Sequence, residues 1–158
     1  MAHVPPRAAS PLFLTEPEIR RGIELLHHGY AQLMRGADAR LAQESLGRAH
    51  QRALYWIARR PGLTVGDLLV LLGVTKQSLG RTVDELKARA LIEVRPGDRD
   101  RRQRLLRTTE IGAALERELF AGLSARLADA YSSAGQEAVG GFWAVLEGLA
   151  PPALVKRA

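Results

Sequence analysis

The stretch RPGDRDRRQRLLRTTEIG, Arg95 to Gly112, decides how this chain is read. Between its first and last arginine it sets Arg95, Arg99, Arg101, Arg102, Arg104 and Arg107 against Asp98 and Asp100. That is a local charge of +4 in a chain whose formal net charge is +6, so the basic charge is concentrated. Pro96-Gly97-Asp98 supplies turn chemistry between two short apolar runs, Leu91-Ile92-Glu93-Val94 and Arg104-Leu105-Leu106-Arg107. The pattern predicts a β-hairpin whose tip gathers the arginines and aspartates.

Immediately before the hairpin, Thr64 opens a short apolar helix holding Leu68, Leu69, Leu71 and Leu72. Gly73 closes it at a position where left-handed backbone is cheap for glycine. Only Gly73 and Val74 separate this helix from Thr75, an N-cap for a helix running through Leu79, Val83, Leu86 and Lys87 to about Ala90. Two helices joined so tightly form a helix-turn-helix candidate.

Further out, Ile19, Ile23, Leu26, Tyr30, Leu33 and Met34 recur at helical spacing, which predicts a first helix from Glu18 to about Arg35. Gly36 to Glu44 reads as a polar break. Ser45 is the predicted cap of a second helix whose Leu46, Ala49, His50, Ala53, Leu54 and Ile57 share a face, with Pro61-Gly62 ending it. Thr108-Thr109-Glu110 signals a long helix carrying Ile111, Leu115, Leu119, Leu123, Leu127 and Tyr131. After Ser132 to Gly135, a last helix holds Val139, Phe142, Trp143, Leu146 and Leu149, stopped by Pro151-Pro152. Residues 1 to 17 carry four of the eight prolines and read as an arm.

The 158 residues suit one domain, and 46% hydrophobic with 25% charged residues excludes the low-hydrophobicity signature of a disordered chain. There is no apolar run long enough for a membrane span and no secretory signal in Met1 to Leu14, so a soluble cytoplasmic protein is expected. Cysteine is absent, which removes disulfides, thiolate nucleophiles, cysteine zinc sites and thiol redox sensing. There is no Gly-rich phosphate loop, serine elbow or paired acid in an apolar setting, and arginines around Asp98 and Asp100 should keep both ionised. An enzyme is therefore not expected, and no cofactor.

The order of helices, tight turn, basic hairpin and long helix resembles the MarR family of bacterial transcription regulators over roughly residues 18 to 150. Two segments carry the resemblance: LTVGDLLVLLGVTKQSLGRTVDELKARALIEV, Leu63 to Val94, and the wing residues Asp98, Asp100-Arg101-Arg102, Leu105-Leu106, Thr109 and Gly112. Thr108 stands where leucine is usual, Gly80 lies inside the recognition helix, and Ala90 replaces a frequent glycine. The resemblance implies a mainly α fold with a small β-hairpin. A winged helix-turn-helix lobe would span residues 45–108, between an N-terminal dimerisation helix and linker (18–44) and C-terminal dimerisation helices (109–158), with residues 1–17 as the arm. It also implies a homodimer on double-stranded, pseudo-palindromic DNA and, in many members, repression relieved by a small-molecule effector.

A recognition helix offers its N-terminal residues to the major groove. Gln77 can pair bidentately with adenine and Arg81 with guanine, while Thr75, Lys76 and Ser78 suit phosphates. At the wing, Arg99 and Arg101 are tip residues for the narrow minor groove and Arg102 is a phosphate contact. Asp98 and Asp100 are candidate braces that hold arginine side chains; by resemblance Asp100 is the better match. The plain alternative for both elements is a solvated face.

Candidate residues for an effector cleft are His27 and Tyr30 on the first helix and His50 and Tyr55 on the second, with His28, Arg52 and Trp56 nearby. The same histidines, with Glu24, have usable metal-ligand types, but no paired HxxxH lies on one face, and no metal is expected. The competing function is a winged-helix interaction module whose basic hairpin docks an acidic protein partner.

Overall fold

The computed structural model describes residues 14–97 and 100–151. Residues 1–13, which are most of the N-terminal arm, residues 152–158, and the wing residues Asp98 and Arg99 lie outside the described residues. The elements in order are α1 (Glu16–Gln43), α2 (Arg48–Arg59), β1 (Leu63–Thr64), α3 (Val65–Leu72), α4 (Lys76–Ala88), β2 (Ile92–Pro96), β3 (Arg104–Thr108), α5 (Glu110–Ala134) and α6 (Gln136–Leu149). The chain divides into two units, residues 1–35 and 36–158.

The first unit contains the N-terminal stretch of α1. Glu16 and Glu18 lie in its first turn, where the exposed amides favour negative charge. Ile19, Ile23, Leu26 and Tyr30 form the expected stripe, and all four are exposed.

The second unit opens inside α1. Gly36 to Glu44 is not a break, because α1 continues to Gln43. Ala37 and Leu41 are buried at the helical spacing set by Met34, and the polar residues between them face outward into ion pairs. Asp38 accepts from Arg48 Nε at 2.9 Å and Nη2 at 2.7 Å, and Arg40 reaches Glu118 and Glu44. Ser45 does not cap α2 either; it closes α1. Ser45 N–H bonds Ala42 O and Leu46 N–H bonds Leu41 O, with Ser45 at φ +54°, the pattern of a left-handed helix stop. Leu46 and Leu41 are both buried. The N-cap of α2 is Gly47, whose N–H is taken by His50 Nδ1 at 3.0 Å.

The helix-turn-helix forms as the sequence predicts. Thr64 caps α3 through Asp67 N–H at 3.0 Å, Gly73 takes the left-handed stop at φ +61°, and Thr75 caps α4 through Ser78 N–H at 3.2 Å. The apolar face of α3 is covered, with Leu68, Leu71 and Leu72 buried. Leu54 and Ile57 of α2, Leu68 of α3, Leu79 and Leu86 of α4 and Leu106 of β3 are all essentially fully buried. Leu106 brings the hairpin into this core. Its strand pairs with β2 from Ile92↔Thr108 to Pro96↔Arg104 and with β1 at Leu63↔Leu106 and Thr64↔Leu105. The sheet therefore has three antiparallel strands in the order β1-β3-β2, one more than expected.

The end of α4 repeats the device that ends α1. Ala90 sits at φ +54°, its N–H on Lys87 O and the Leu91 N–H on Leu86 O. The Ala90 methyl is thus placed in a backbone region that disfavours a Cβ, which explains why glycine suits this position. Arg89, the C-cap residue, donates across to Glu44 O at 3.2 Å and Ser45 O at 3.4 Å, so it satisfies the open carbonyls at the end of α1.

Thr109 and Gly112 have a shared structural task. The Thr109 hydroxyl donates to Ala90 O at 2.6 Å and accepts from Gly112 N–H at 3.1 Å, while Thr109 N–H bonds Leu91 O. The same threonine caps α5 and ties the end of the hairpin to the end of α4. At the far end of α5, Tyr131 stacks edge-on with Phe142 and Trp143 of α6, and Trp143 Nε1 donates to Tyr131 Oη at 2.9 Å. No residue of α6 is buried, and Phe142, Trp143, Val145, Leu146 and Leu149 are exposed.

Candidate nucleic-acid interface

The capping of α4 by Thr75 leaves the next helical turn pointing away from the core. Leu79, Thr82, Val83 and Leu86 take the inward face, so Lys76, Gln77, Ser78 and Arg81 are left exposed, as is Thr75. These are the residues expected to meet DNA. Gly80 does not interrupt the helix, and a Cβ built on it meets nothing within 4 Å. The open space on this face is solvent.

Beside the helix stands the hairpin. A cleft of about 350 Å³ is lined by Thr64, Val65, Gly66 and Leu69, by Lys76 and Leu79 of α4, and by Arg102, Gln103 and Arg104 of the wing. It puts the first residue of α4 next to two wing arginines. Arg101, Arg102, Arg104 and Arg107 are all exposed, and Arg95 is paired with Glu93 at 2.8 Å. Arg104 is a member of this cationic group that reading of the hairpin tip did not single out. Its position on β3, paired with Pro96 at the outer end of the ladder, is the signal for it.

Asp100 has a backbone partner in the wing turn. Its carboxylate accepts the backbone N–H of Arg102 at 2.9 Å, and among the described residues it makes no ion pair with an arginine side chain. It shapes the turn. Gln103 N–H bonds Asp100 O, Gly97 N–H bonds Gln103 O, and a Cβ on Gly97 would meet Asp100 O at 2.7 Å, so the turn is closed by backbone and needs glycine at its base. The expected roles of Asp98 and Arg99 fall outside the described residues.

The candidate effector residues fall in both units. His27 and Tyr30 are exposed on the first unit's helix. His50 is committed to the Gly47 N–H through Nδ1 and to Glu85 through Nε2. Tyr55 stacks edge-on with Trp56 under the Arg59 guanidinium, and Arg52 donates to Leu72 O at 2.9 Å, capping α3. A separate cleft of about 240 Å³ is lined by Arg40, Glu44, Arg89, Leu91, Ile111, Leu115 and Glu118, none of which the sequence offered as an effector residue. Both its arginines are engaged, Arg40 by Glu118 and Glu44, which together hold its guanidinium even further above its usual range. No group of three or more potential metal ligands occurs among the described residues, and no helix there is long and apolar enough to cross a membrane.

Glu85 was not anticipated. Its position four residues after Arg81 puts the two on one face of α4, and that spacing was the available signal. Arg81, then His50, hold the Glu85 carboxyl below its ordinary range by hydrogen bonding.

The sequence profile of the MarR family matches residues 45–103, the segment just described from α2 through the wing turn. Over 143 residues, 90% of this chain and 86% of the relative, the sequence is 48% identical to the HTH-type transcriptional regulator PetP of Rhodobacter capsulatus. The chain belongs to the MarR family. Solved structures of MarR-type proteins share its fold. Streptococcus pneumoniae FabT in complex with DNA superposes with a TM-score of 0.73 at 18% identity, covering 83% of this chain and 94% of that one. A mutant MarR from E. coli complexed with operator DNA gives 0.67 at 23% identity, covering 90% and 100%.

Proposed function

We propose that this MarR-family protein is a homodimeric, sequence-specific DNA-binding transcription regulator of the bacterial cytoplasm, acting as a repressor that a small molecule releases. The observation that carries the reading is the juxtaposition of the exposed N-terminal turn of α4 with the wing arginines around one cleft. Such a pair can enter a major groove and the minor groove beside it. In this reading Gln77 and Arg81 meet base edges, Thr75, Lys76 and Ser78 hold phosphates, and Arg101 enters the minor groove with Arg102 on the backbone.

A twofold dimer lets two such lobes read half-sites about 34 Å apart. The exposed apolar residues of α6, and the stripe Ile19, Ile23, Leu26 and Tyr30, supply the kind of surface a dimer covers. A close relative named as a transcriptional regulator, and related folds solved on DNA, support the reading. The repressor and effector roles rest on the family likeness.

Selection of bound sequences from random DNA tests it. A pseudo-palindromic consensus with half-sites one helical turn apart is expected. Enrichment of no sequence, or of a single asymmetric site, overturns it. If the wing instead docks an acidic protein, Arg101→Ala would weaken that capture and Gln77→Ala would leave it alone.

A further inference from the structure

Three side chains connect the start of α2 to the reading face of α4. The Gly47 backbone N–H donates to His50 Nδ1 at 3.0 Å, so that nitrogen carries no proton and the ring proton resides on Nε2. Nε2 then donates to Glu85 Oε2, and the other carboxylate oxygen accepts from Arg81 Nε at 3.0 Å. The histidine orients the glutamate, and the glutamate orients the arginine.

Exposure grades along this series. The side chains of His50, Glu85 and Arg81 are 13%, 36% and 84% exposed, so the fixed end is sheltered and the free end reaches into solvent. The molecule contains its own contrast: Arg20 and Glu16 also pair at four-residue spacing, but both are more than two-thirds exposed and no other described side chain holds Glu16. An isolated exposed pair of that kind fixes little.

Glu85 engages Arg81 through Nε alone. Among the described residues neither terminal amine of Arg81 has a partner. An arginine held at Nε keeps a two-pronged donor face for guanine O6 and N7, and its long stem has lost much of its rotamer freedom before DNA arrives. Because Glu85 is held below its usual titration range, it is charged at neutral pH.

We propose that Glu85, set in place by His50, is a positioning residue that aims Arg81 at one guanine in each half-site. The inference rests on the DNA-reading function above and assigns specificity to two residues that touch no base.

The experiment repeats the random-DNA selection with variants and compares base preference position by position, alongside thermal unfolding of each variant. Arg81→Ala locates the position Arg81 reads. Glu85→Ala is expected to lower guanine preference at that position by about tenfold or more, the discrimination one bidentate contact carries, while the rest of the consensus persists. His50→Phe should give the same local loss. His50→Gln, which can accept from Gly47 and donate to Glu85, should restore it.

The positioning role is overturned if Glu85→Ala keeps the guanine preference, or if every position weakens together with a fall in melting temperature, since that is the mark of a merely structural residue. Glu85→Leu, similar in size but with no acceptor for Arg81 Nε, replaces Glu85→Ala should the latter not fold, with the same two outcomes. Failure of the underlying function looks different: the unmodified protein then selects no sequence at all.

Discussion

Gly112 lies so close to the Leu91 carbonyl that a Cβ added to it would stand 1.9 Å from the oxygen. The contact is backbone against backbone, so neither partner can rotate out of the way. Gly112→Ala should therefore push the start of α5 off the end of α4 and destabilise the fold by about 3 kcal/mol. Urea denaturation measures it; a loss under about 0.5 kcal/mol would show that α5 is not seated as described.

Ala90 gives the opposite expectation. A side chain in left-handed backbone costs roughly 1–2 kcal/mol, and glycine returns part of that as unfolded-state entropy. Ala90→Gly should accordingly raise stability by up to about 1 kcal/mol, with no change in the denaturant slope. Because Ala90 N–H and O are both bonded, a destabilised variant would contradict the left-handed stop at this position.

The acid response follows from two depressed carboxyls. Asp38 is lowered by its hydrogen bonds from Arg48, and Glu85 by Arg81 and His50. Groups whose folded titration lies below the unfolded one stabilise above the unfolded range, and that contribution is lost as pH falls through the folded range. Melting temperature should thus fall as pH drops below about 4, the ordinary carboxylate range. Asp38→Asn should flatten part of the fall. Glu116, raised chiefly by burial, has the reverse sign: its contribution is complete below the unfolded range and disappears as pH rises through the folded one. Glu116→Gln should then be slightly stabilising at neutral pH, and a scan of melting temperature against pH for the three proteins reads out both signs.

Lys76 and Gln77 should separate affinity from specificity. With about 8 phosphates neutralised per dimer, log affinity should fall with log salt at a slope near −7, and Lys76→Ala should reduce that slope by about 2, one contact per subunit. Gln77→Ala should leave the slope alone but remove about 1–3 kcal/mol of discrimination at one base pair. Salt titrations on operator and random DNA decide it; identical behaviour of the two variants would refute the assigned roles.

What could be read in the sequence was what neighbours in the chain determine. Thr64, Gly73, Thr75 and Thr109 each act on residues within one turn, and each performs its expected local task. The extension of α1 past Gly36 was hidden because Asp38 and Arg40 look like loop residues until Arg48 and Glu118 are brought beside them. The strand at Leu63–Thr64 exists only through pairing with Leu105 and Leu106, more than forty residues away. At the site, exposure of the α4 turn was legible from its polar spacing. The His50 to Glu85 contact was not, since it joins residues 35 apart, and neither suggests the other. The Asp100 contact was hidden for a related reason: an aspartate among arginines suggests ion pairing, and its bond to the Arg102 backbone N–H shows only once the turn is closed.

Thr109 is the sole residue between the last strand of the wing and the first turn of α5, so the two elements are joined without slack. A five-residue strand is about 17 Å long, and a 10° tilt of so stiff a joint would carry the hairpin tip about 3 Å, close to the rise of one base pair. In the proposed DNA complex, whatever grips the long helix would be geared directly to the groove, and a small rotation would become misalignment on the duplex without a separate transmission.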